Sequence, residues 1–62
     1  MEEAIMTASE LALYLRVKRS TIYRLLKAAD LPAFRVGSDW RFMRKDVEEW
    51  MLSRIKTDSR SV

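Results

Sequence analysis

The sequence predicts a small α+β domain that is mainly helical, with three helices and a two-stranded β-hairpin in the order α-α-β-β-α. Three observations predict it. Thr7 and Glu10 have the spacing of a capping box, which starts a helix. Apolar residues in 22–29 recur at the spacing of one helix face. Alternating apolar and polar residues over 34–42 surround the turn-forming run Gly37-Ser38-Asp39, which is the pattern of a hairpin.

Length and composition limit the classes of function. The chain has 62 residues, of which 48% are apolar, so it can form one domain around one small core. It contains neither cysteine nor histidine, which excludes disulfides and thiolate metal sites and removes the commonest general base. No apolar run approaches the ~18 residues of a membrane span, and the N-terminus is acidic, unlike a signal peptide. We therefore expect a cytoplasmic protein that is not an enzyme, contacts no membrane and needs no cofactor or metal.

The first half of the chain is predicted to form two helices joined by a short turn. The capping box predicts a first helix over residues 8–15. A turn follows at residues 16–18, and its lone apolar residue, Val17, is expected to fill the core between the helices. The second helix is predicted over residues 19–29. Two short helices joined by such a turn make a helix-turn-helix.

The second helix is expected to have two opposite faces. Its apolar residues at positions 22, 25, 26 and 29 share one face, and Ser20, Arg24 and Lys27 share the other. No acidic residue occurs between positions 11 and 29. A basic, acid-free face is typical of a helix that lies in a nucleic-acid groove. The alternative is a surface helix whose charges contact only solvent.

The hairpin is predicted to follow Pro32, which cannot continue a helix. The pairs expected across a three-residue loop are Phe34 with Phe42, Arg35 with Arg41, and Val36 with Trp40. In that register the four apolar side chains share one face of the hairpin and both arginines share the other. Two opposed arginines repel each other, and an anionic partner would relieve the repulsion.

A third helix is predicted to begin at residues 44–46. Its inward residues are expected to be Val47, Trp50, Met51 and Ile55. We interpret Trp40 and Trp50 as core residues, because each falls on an apolar face. The domain is therefore predicted over residues 6–55, with a flexible lead-in at residues 1–5 and a flexible tail at residues 56–62.

The candidate binding residues lie on the second helix, at its start and on the hairpin. Ser20, Arg24 and Lys27 are expected to contact base edges or phosphates, since arginine can read guanine with two hydrogen bonds. Lys18 and Arg19 are expected to contact the phosphate backbone. They lie at the start of the second helix, where the backbone amides also favour an anion. The other candidates, for which structural roles stay open, are Thr21, Tyr23, Arg35, Ser38 and Arg41.

Five segments of the chain carry a further pattern at fixed spacing. They are Thr7-Ala8-Ser9-Glu10-Leu11-Ala12 with Tyr14-Leu15; Val17 with Arg19-Ser20-Thr21-Ile22-Tyr23-Arg24; Leu31-Pro32-Ala33-Phe34-Arg35-Val36-Gly37; Trp40-Arg41-Phe42; and Asp46-Val47 with Trp50. Together they resemble the excisionase-type winged helix-turn-helix family, which is related to the DNA-binding domains of the MerR-like superfamily. That family usually has Gly and Ser near the positions of Arg16 and Lys18, so a good N-cap is missing here.

The resemblance implies a second helix in the major groove of double-stranded DNA and a hairpin wing on the adjacent backbone or minor groove. The residues that match by position are Arg19, Ser20, Thr21, Tyr23, Arg24 and Lys27 in the recognition helix, and Arg35 and Arg41 in the wing. It implies an architectural role beside a recombinase, or transcription regulation. A domain this small is expected to act as a homo-oligomer or a cooperative array on DNA. The alternatives are a phage-type DNA-packaging adaptor and a protein-interaction module that uses the acidic third helix.

Overall fold

A computed structural model describes residues 4–58, and the side chains of residues 4–56. Within this part the chain forms three helices and three short strands, and the third strand lies in the centre of the sheet, between the first and the second. The elements are β1 (Ile5–Met6), α1 (Ala8–Leu15), α2 (Arg19–Lys27), β2 (Phe34–Val36), β3 (Asp39–Met43) and α3 (Arg44–Asp58). The predicted class, a mainly helical α+β fold with three helices and an antiparallel hairpin, is confirmed.

Strand β1 was not predicted from the sequence. Ile5 pairs with Met43 and Met6 pairs with Phe42, and the Arg44 amide donates a hydrogen bond of 2.9 Å to the Ala4 carbonyl. A two-residue strand is too short to show alternation, so only its pairing with β3 reveals it. Paired sheet structure thus begins at residue 5, within the predicted lead-in. Residues 1–3 and 59–62 lie outside the described part, and the flexibility predicted for both termini stays a prediction.

Helix α1 begins at the predicted capping box. The Glu10 amide donates to the Thr7 hydroxyl at 3.1 Å, and the Thr7 amide donates to the Glu10 carboxylate at 2.9 Å. These two bonds satisfy donors that the first helical turn leaves without partners. The helix spans the predicted residues and buries Leu11 and Ala12.

The core contains one fully buried large side chain from each of four elements. Leu11 of α1, Ile22 of α2, Phe42 of β3 and Val47 of α3 are each 0% exposed. Leu25, Leu26, Trp40, Trp50 and Met51 pack around this cluster and are partly buried. All three helices and the central strand therefore contribute to one core, in which α2 packs chiefly against α1.

Two residues predicted to be in the core lie at the surface. Val17 is 40% exposed and Ile55 is 62% exposed. Val17 follows a residue in the left-handed conformation, which reverses the chain after α1, and Leu11 and Ile22 fill the space between the helices instead. Ile55 lies beyond the packed part of α3, since every side chain from 52 to 56 is exposed.

Helices α1 and α2 end in the same way, with a residue other than glycine in the left-handed region. After α1, Arg16 has φ 60°, and the Val17 amide donates to the Ala12 carbonyl at 2.9 Å. After α2, Ala29 has φ 55°, and the Asp30 amide donates to the Leu25 carbonyl at 3.0 Å. This six-to-one bond is the hallmark of a Schellman motif, in which glycine is preferred at the left-handed position. Helix α2 therefore ends at Lys27, and the prediction that Ala29 belongs to its inward face is wrong, because Ala29 is exposed.

Replacing Ala29 by glycine is expected to raise the free energy of unfolding by about 0.5–1 kcal/mol, because glycine removes the steric cost of a positive φ. In a domain of this size, such a gain raises the midpoint of thermal unfolding by several degrees. The matched control is Ala28→Gly, since Ala28 has φ −80° and gains nothing from glycine. Urea unfolding of both variants tests the prediction, which fails if Ala29→Gly is no more stable than Ala28→Gly.

The register of the hairpin differs from the predicted one. The observed pairs are Phe34 with Arg41, Arg35 with Trp40, and Val36 with Asp39. The loop therefore has two residues, Gly37 and Ser38, and Gly37 has φ 65°. Glycine at the first central position suits the type II′ turn that matches the twist of paired strands. One residue less in the loop moves the side chains of one strand to the opposite face relative to its partner.

Candidate nucleic-acid interface

Helix α2 has the amphipathic arrangement predicted from its sequence. Ile22 is fully buried and Leu25 and Leu26 are partly buried, so this side of the helix packs on the core. On the opposite side Ser20, Arg24 and Lys27 are all exposed. Since α2 contains no acidic residue, no carboxylate within the helix neutralises these two cations. The exposed face of α2 can therefore approach a polyanion without like-charge repulsion.

The start of α2 lacks a side-chain cap, in agreement with the departure noted at Lys18. Lys18 is the N-cap, its backbone is extended, and its side chain makes no capping hydrogen bond. Lys18 and Arg19 are exposed. The Arg19 guanidinium donates to the Ser9 hydroxyl at 2.9 Å, which ties the first turn of α2 to α1. Arg19 therefore has a structural contact in addition to its predicted role, and its other N–H groups remain available to a phosphate.

The other two helix candidates differ in exposure. Thr21 is half-buried, and Tyr23 is 44% exposed. Among the described residues, no hydrogen bond from either side chain is found. Tyr23 therefore has a hydroxyl that can serve an outside partner, whereas Thr21 lies closer to the protein body.

The hairpin arginines lie on opposite faces, contrary to the prediction that they share one. The Arg35 guanidinium lies 5.0 Å from the centre of the Trp40 ring, on the face that also carries Phe42. Arg41 is on the other face, where it pairs with Asp39 at 3.8 Å and donates to the Trp40 carbonyl at 2.8 Å. The predicted repulsion between the two arginines is therefore absent, and each has its own local partner. Ser38 is exposed at the tip.

An open pocket of about 230 Å³ lies between α2 and the hairpin. Tyr23, Leu26 and Lys27 line it from α2, and Trp40 lines it from β3. With Arg35 over the Trp40 ring, the structure brings together three of the predicted candidates, Tyr23, Lys27 and Arg35. We call this group, with Trp40 and Leu26, the notch. Sequence reasoning missed Trp40 because it was interpreted as core; the Gly37-Ser38 pair was the signal for the register that places it here.

The connection between α2 and the hairpin is held by α3. The Trp50 indole N–H donates to the Asp30 carbonyl at 2.5 Å, and the Arg54 guanidinium bonds the Asp30 carboxylate at 2.6 Å. Arg54 also lies 5.4 Å from the centre of the Trp50 ring. These contacts join residues 20 or more positions apart, so no local sequence pattern indicates them. They fix Asp30, in the connection between α2 and the hairpin, to α3.

The described residues offer little for other kinds of site. Among their acidic side chains, no group of three is placed to hold a metal ion. In residues 4–58 no helix combines the length and the hydropathy that crossing a bilayer requires.

Residues 5–55 match the helix-turn-helix domain family. The chain belongs to that family. The match runs from β1 to α3, so it includes both the helix-turn-helix and the hairpin. The family is one of DNA-binding domains, which suggests DNA as a partner.

Two curated relatives of this helix-turn-helix protein come from Mycobacterium tuberculosis, one from strain H37Rv and one from strain CDC 1551. Each bears the name "Putative DNA-binding protein", and each is 38% identical to the chain over 47 residues. The aligned part covers 76% of this chain and 60% of each relative, so the chain spans about 60% of the length of these relatives. No solved structure matches the chain.

Proposed function

We propose that this protein binds double-stranded DNA with sequence preference and without catalysis. Helix α2 enters the major groove, where Ser20, Arg24 and Lys27 meet base edges and nearby phosphates. The observation that carries the proposal is the exposed, acid-free face of α2, which a fully buried Ile22 anchors to the core. A major groove is wide enough to admit one helix, and arginine can read guanine through two hydrogen bonds. Membership of a helix-turn-helix family and the names of the relatives support the same function.

The remaining candidates position the protein on the backbone. Lys18 and Arg19 lie at the start of α2, where backbone amides also favour a phosphate, and Tyr23 adds a hydroxyl. The hairpin is the wing, and Arg35 is its contact on the side of α2. Arg41 and Ser38 contact the backbone or the minor groove only if the wing lies edge-on to the duplex, because Arg41 is on the opposite face of the sheet.

The biological role that fits best is that of an excisionase-like architectural factor or a small transcription regulator in the bacterial cytoplasm, with a fold related to MerR-like DNA-binding domains. One small module covers only about 600–1,000 Å² of DNA-facing surface. We therefore propose that specific binding uses a dimer or neighbouring copies on repeated sites, with or without a recombinase. Selection of duplexes from a random pool tests sequence preference, and a spaced or repeated motif among them tests the multiple copies.

Replacing Arg35 by alanine is expected to weaken binding to every duplex by a similar factor and to lower the slope of log affinity against log salt by about one unit, because one phosphate contact is lost. A salt titration with a selected duplex and an unrelated duplex measures both effects. The matched control is Lys45→Ala, which removes an exposed cation of α3 and should leave the slope unchanged. An unchanged slope in Arg35→Ala would exclude the contact between Arg35 and a phosphate. Failure of the parent protein to bind any duplex at low salt would exclude DNA binding.

A further inference from the structure

The notch between α2 and the hairpin has a chemical character of its own. Trp40, Tyr23 and Leu26 give it an aromatic and apolar lining. Two cations, which we call its rim, complete it: Lys27 is a lining residue, and the Arg35 guanidinium lies over the Trp40 ring. Lys27 and Arg35 are exposed, and Trp40 is half-buried. The nearest acid on the hairpin, Asp39, lies on the opposite face and pairs with Arg41. The rim therefore attracts an anion, and no described carboxylate on this face of the hairpin opposes it.

The two tryptophans of the chain differ in how their indole nitrogens are used. The Trp50 N–H donates to the Asp30 carbonyl, whereas the Trp40 N–H has no partner among the described residues. No unpaired side-chain nitrogen is buried in this part of the chain, so the Trp40 N–H is accessible to solvent. The Trp40 N–H and the Tyr23 hydroxyl are thus two neutral donors on residues that line the notch, beside two cations.

The size of the notch limits what it can hold. Its volume of about 230 Å³ is below the roughly 300–1,000 Å³ of pockets that enclose drug-sized ligands. It opens on the surface between two elements that both belong to the proposed DNA-binding face. A long polymer that passes across the notch does not have to be enclosed by it, because only one charged group of the polymer has to enter the notch.

We propose that the notch is the seat of a phosphodiester group of duplex DNA, at the point where one strand passes between α2 and the wing. This inference rests on the proposed function. In a duplex, a sugar-phosphate backbone separates the major groove from the adjacent minor groove. A helix in the major groove and a wing at the adjacent minor groove therefore have one DNA backbone between them. The Trp40 indole N–H and the Tyr23 hydroxyl donate to phosphate oxygens, while Lys27 and Arg35 neutralise the charge. Trp40 is thus a DNA-contacting residue as well as a packing residue.

The first test follows both tryptophans by fluorine NMR in the full chain labelled with 5-fluorotryptophan, using a duplex selected from a random pool and a scrambled duplex of equal length. The Trp50→Phe variant assigns the two resonances. On addition of either duplex, the Trp40 resonance is expected to shift and to lose the chemical-shift difference between H₂O and D₂O that reports its accessibility to solvent. The Trp50 resonance, which reports on the bond to Asp30, is expected to stay unchanged in a chain that keeps its fold.

The second test compares variants in the same salt-titrated binding assay. Trp40→Phe keeps an aromatic ring and removes the N–H, and its affinity for both duplexes is expected to fall about tenfold with the salt slope unchanged. Lys27→Gln should lower the slope by about one unit, and the matched variant Lys45→Gln on α3 should not.

The outcomes separate the inference from the function on which it rests. If the parent binds duplex DNA while the Trp40 resonance stays accessible and Trp40→Phe binds as the parent does, the notch is not the seat of a phosphate, and DNA binding stands. If Trp40→Phe loses affinity only for the selected duplex, the notch reads a base, which also overturns the inference. If the parent binds neither duplex at low salt, the proposed function falls and the inference falls with it.

Discussion

Replacing Arg24 by alanine is expected to lower affinity for a selected duplex by roughly 1–3 kcal/mol and to relax the preference at one base pair, because a two-bond contact with a guanine edge is lost. The fold should not change, since Arg24 is exposed in the middle of α2 and alanine is the best helix former. Affinity for an unrelated duplex should fall much less. Competition binding against a panel of single-base variants of the selected site measures both effects.

The Arg24→Lys variant distinguishes a base contact of Arg24 from a phosphate contact. Lysine keeps the positive charge but lacks the planar fork of the guanidinium. If Arg24 reads a base edge, Arg24→Lys resembles Arg24→Ala in its loss of preference and resembles the parent in its salt slope. If Arg24 contacts only phosphate, lysine restores nearly all of the affinity, and the assignment of Arg24 to base reading is then wrong.

The largest effect on stability is expected at Phe42. Phe42 is fully buried, pairs with Met6 of β1, and belongs to the cluster that joins all three helices. Truncation of a buried phenylalanine to alanine costs about 3–5 kcal/mol in other cores. A domain of this length has a stability of only about 3–5 kcal/mol. Phe42→Ala is therefore expected to leave much of the chain unfolded at 25 °C and to abolish DNA binding with it.

Circular dichroism and urea unfolding of Phe42→Ala measure this effect. Leu13→Ala is the control, because Leu13 is 79% exposed on α1 and its truncation should change stability by less than about 0.5 kcal/mol. Phe42→Leu is a milder change that keeps an apolar side chain and should retain a cooperative transition. A cooperative transition in Phe42→Ala at a midpoint close to that of the parent would show that the core does not depend on this ring.

Much of the candidate interface could be predicted because its signals are local. The spacing of Ser20, Arg24 and Lys27 places them on one side of any helix, and the buried Ile22 confirms which side faces the core. The hairpin could be predicted for the same reason, since Gly37 is a local signal for a turn. Its register was predicted wrongly, because the alternation favours a three-residue loop that places all four apolar side chains on one face, whereas the loop has two residues. That single residue decided that Arg35 belongs to the notch and that Arg41 does not.

The sequence by itself determined the features that depend on neighbours within one or two helical turns. Helix α1 begins at the capping box of Thr7 and Glu10, and α2 has its apolar and basic faces, because a residue three or four positions away is a neighbour in any helix. The tertiary structure alone decided the strand at Ile5, the exposure of Val17, and the bonds from Trp50 and Arg54 to Asp30. Each of these depends on segments far apart in the chain, whose relative positions are set by packing around one shared core.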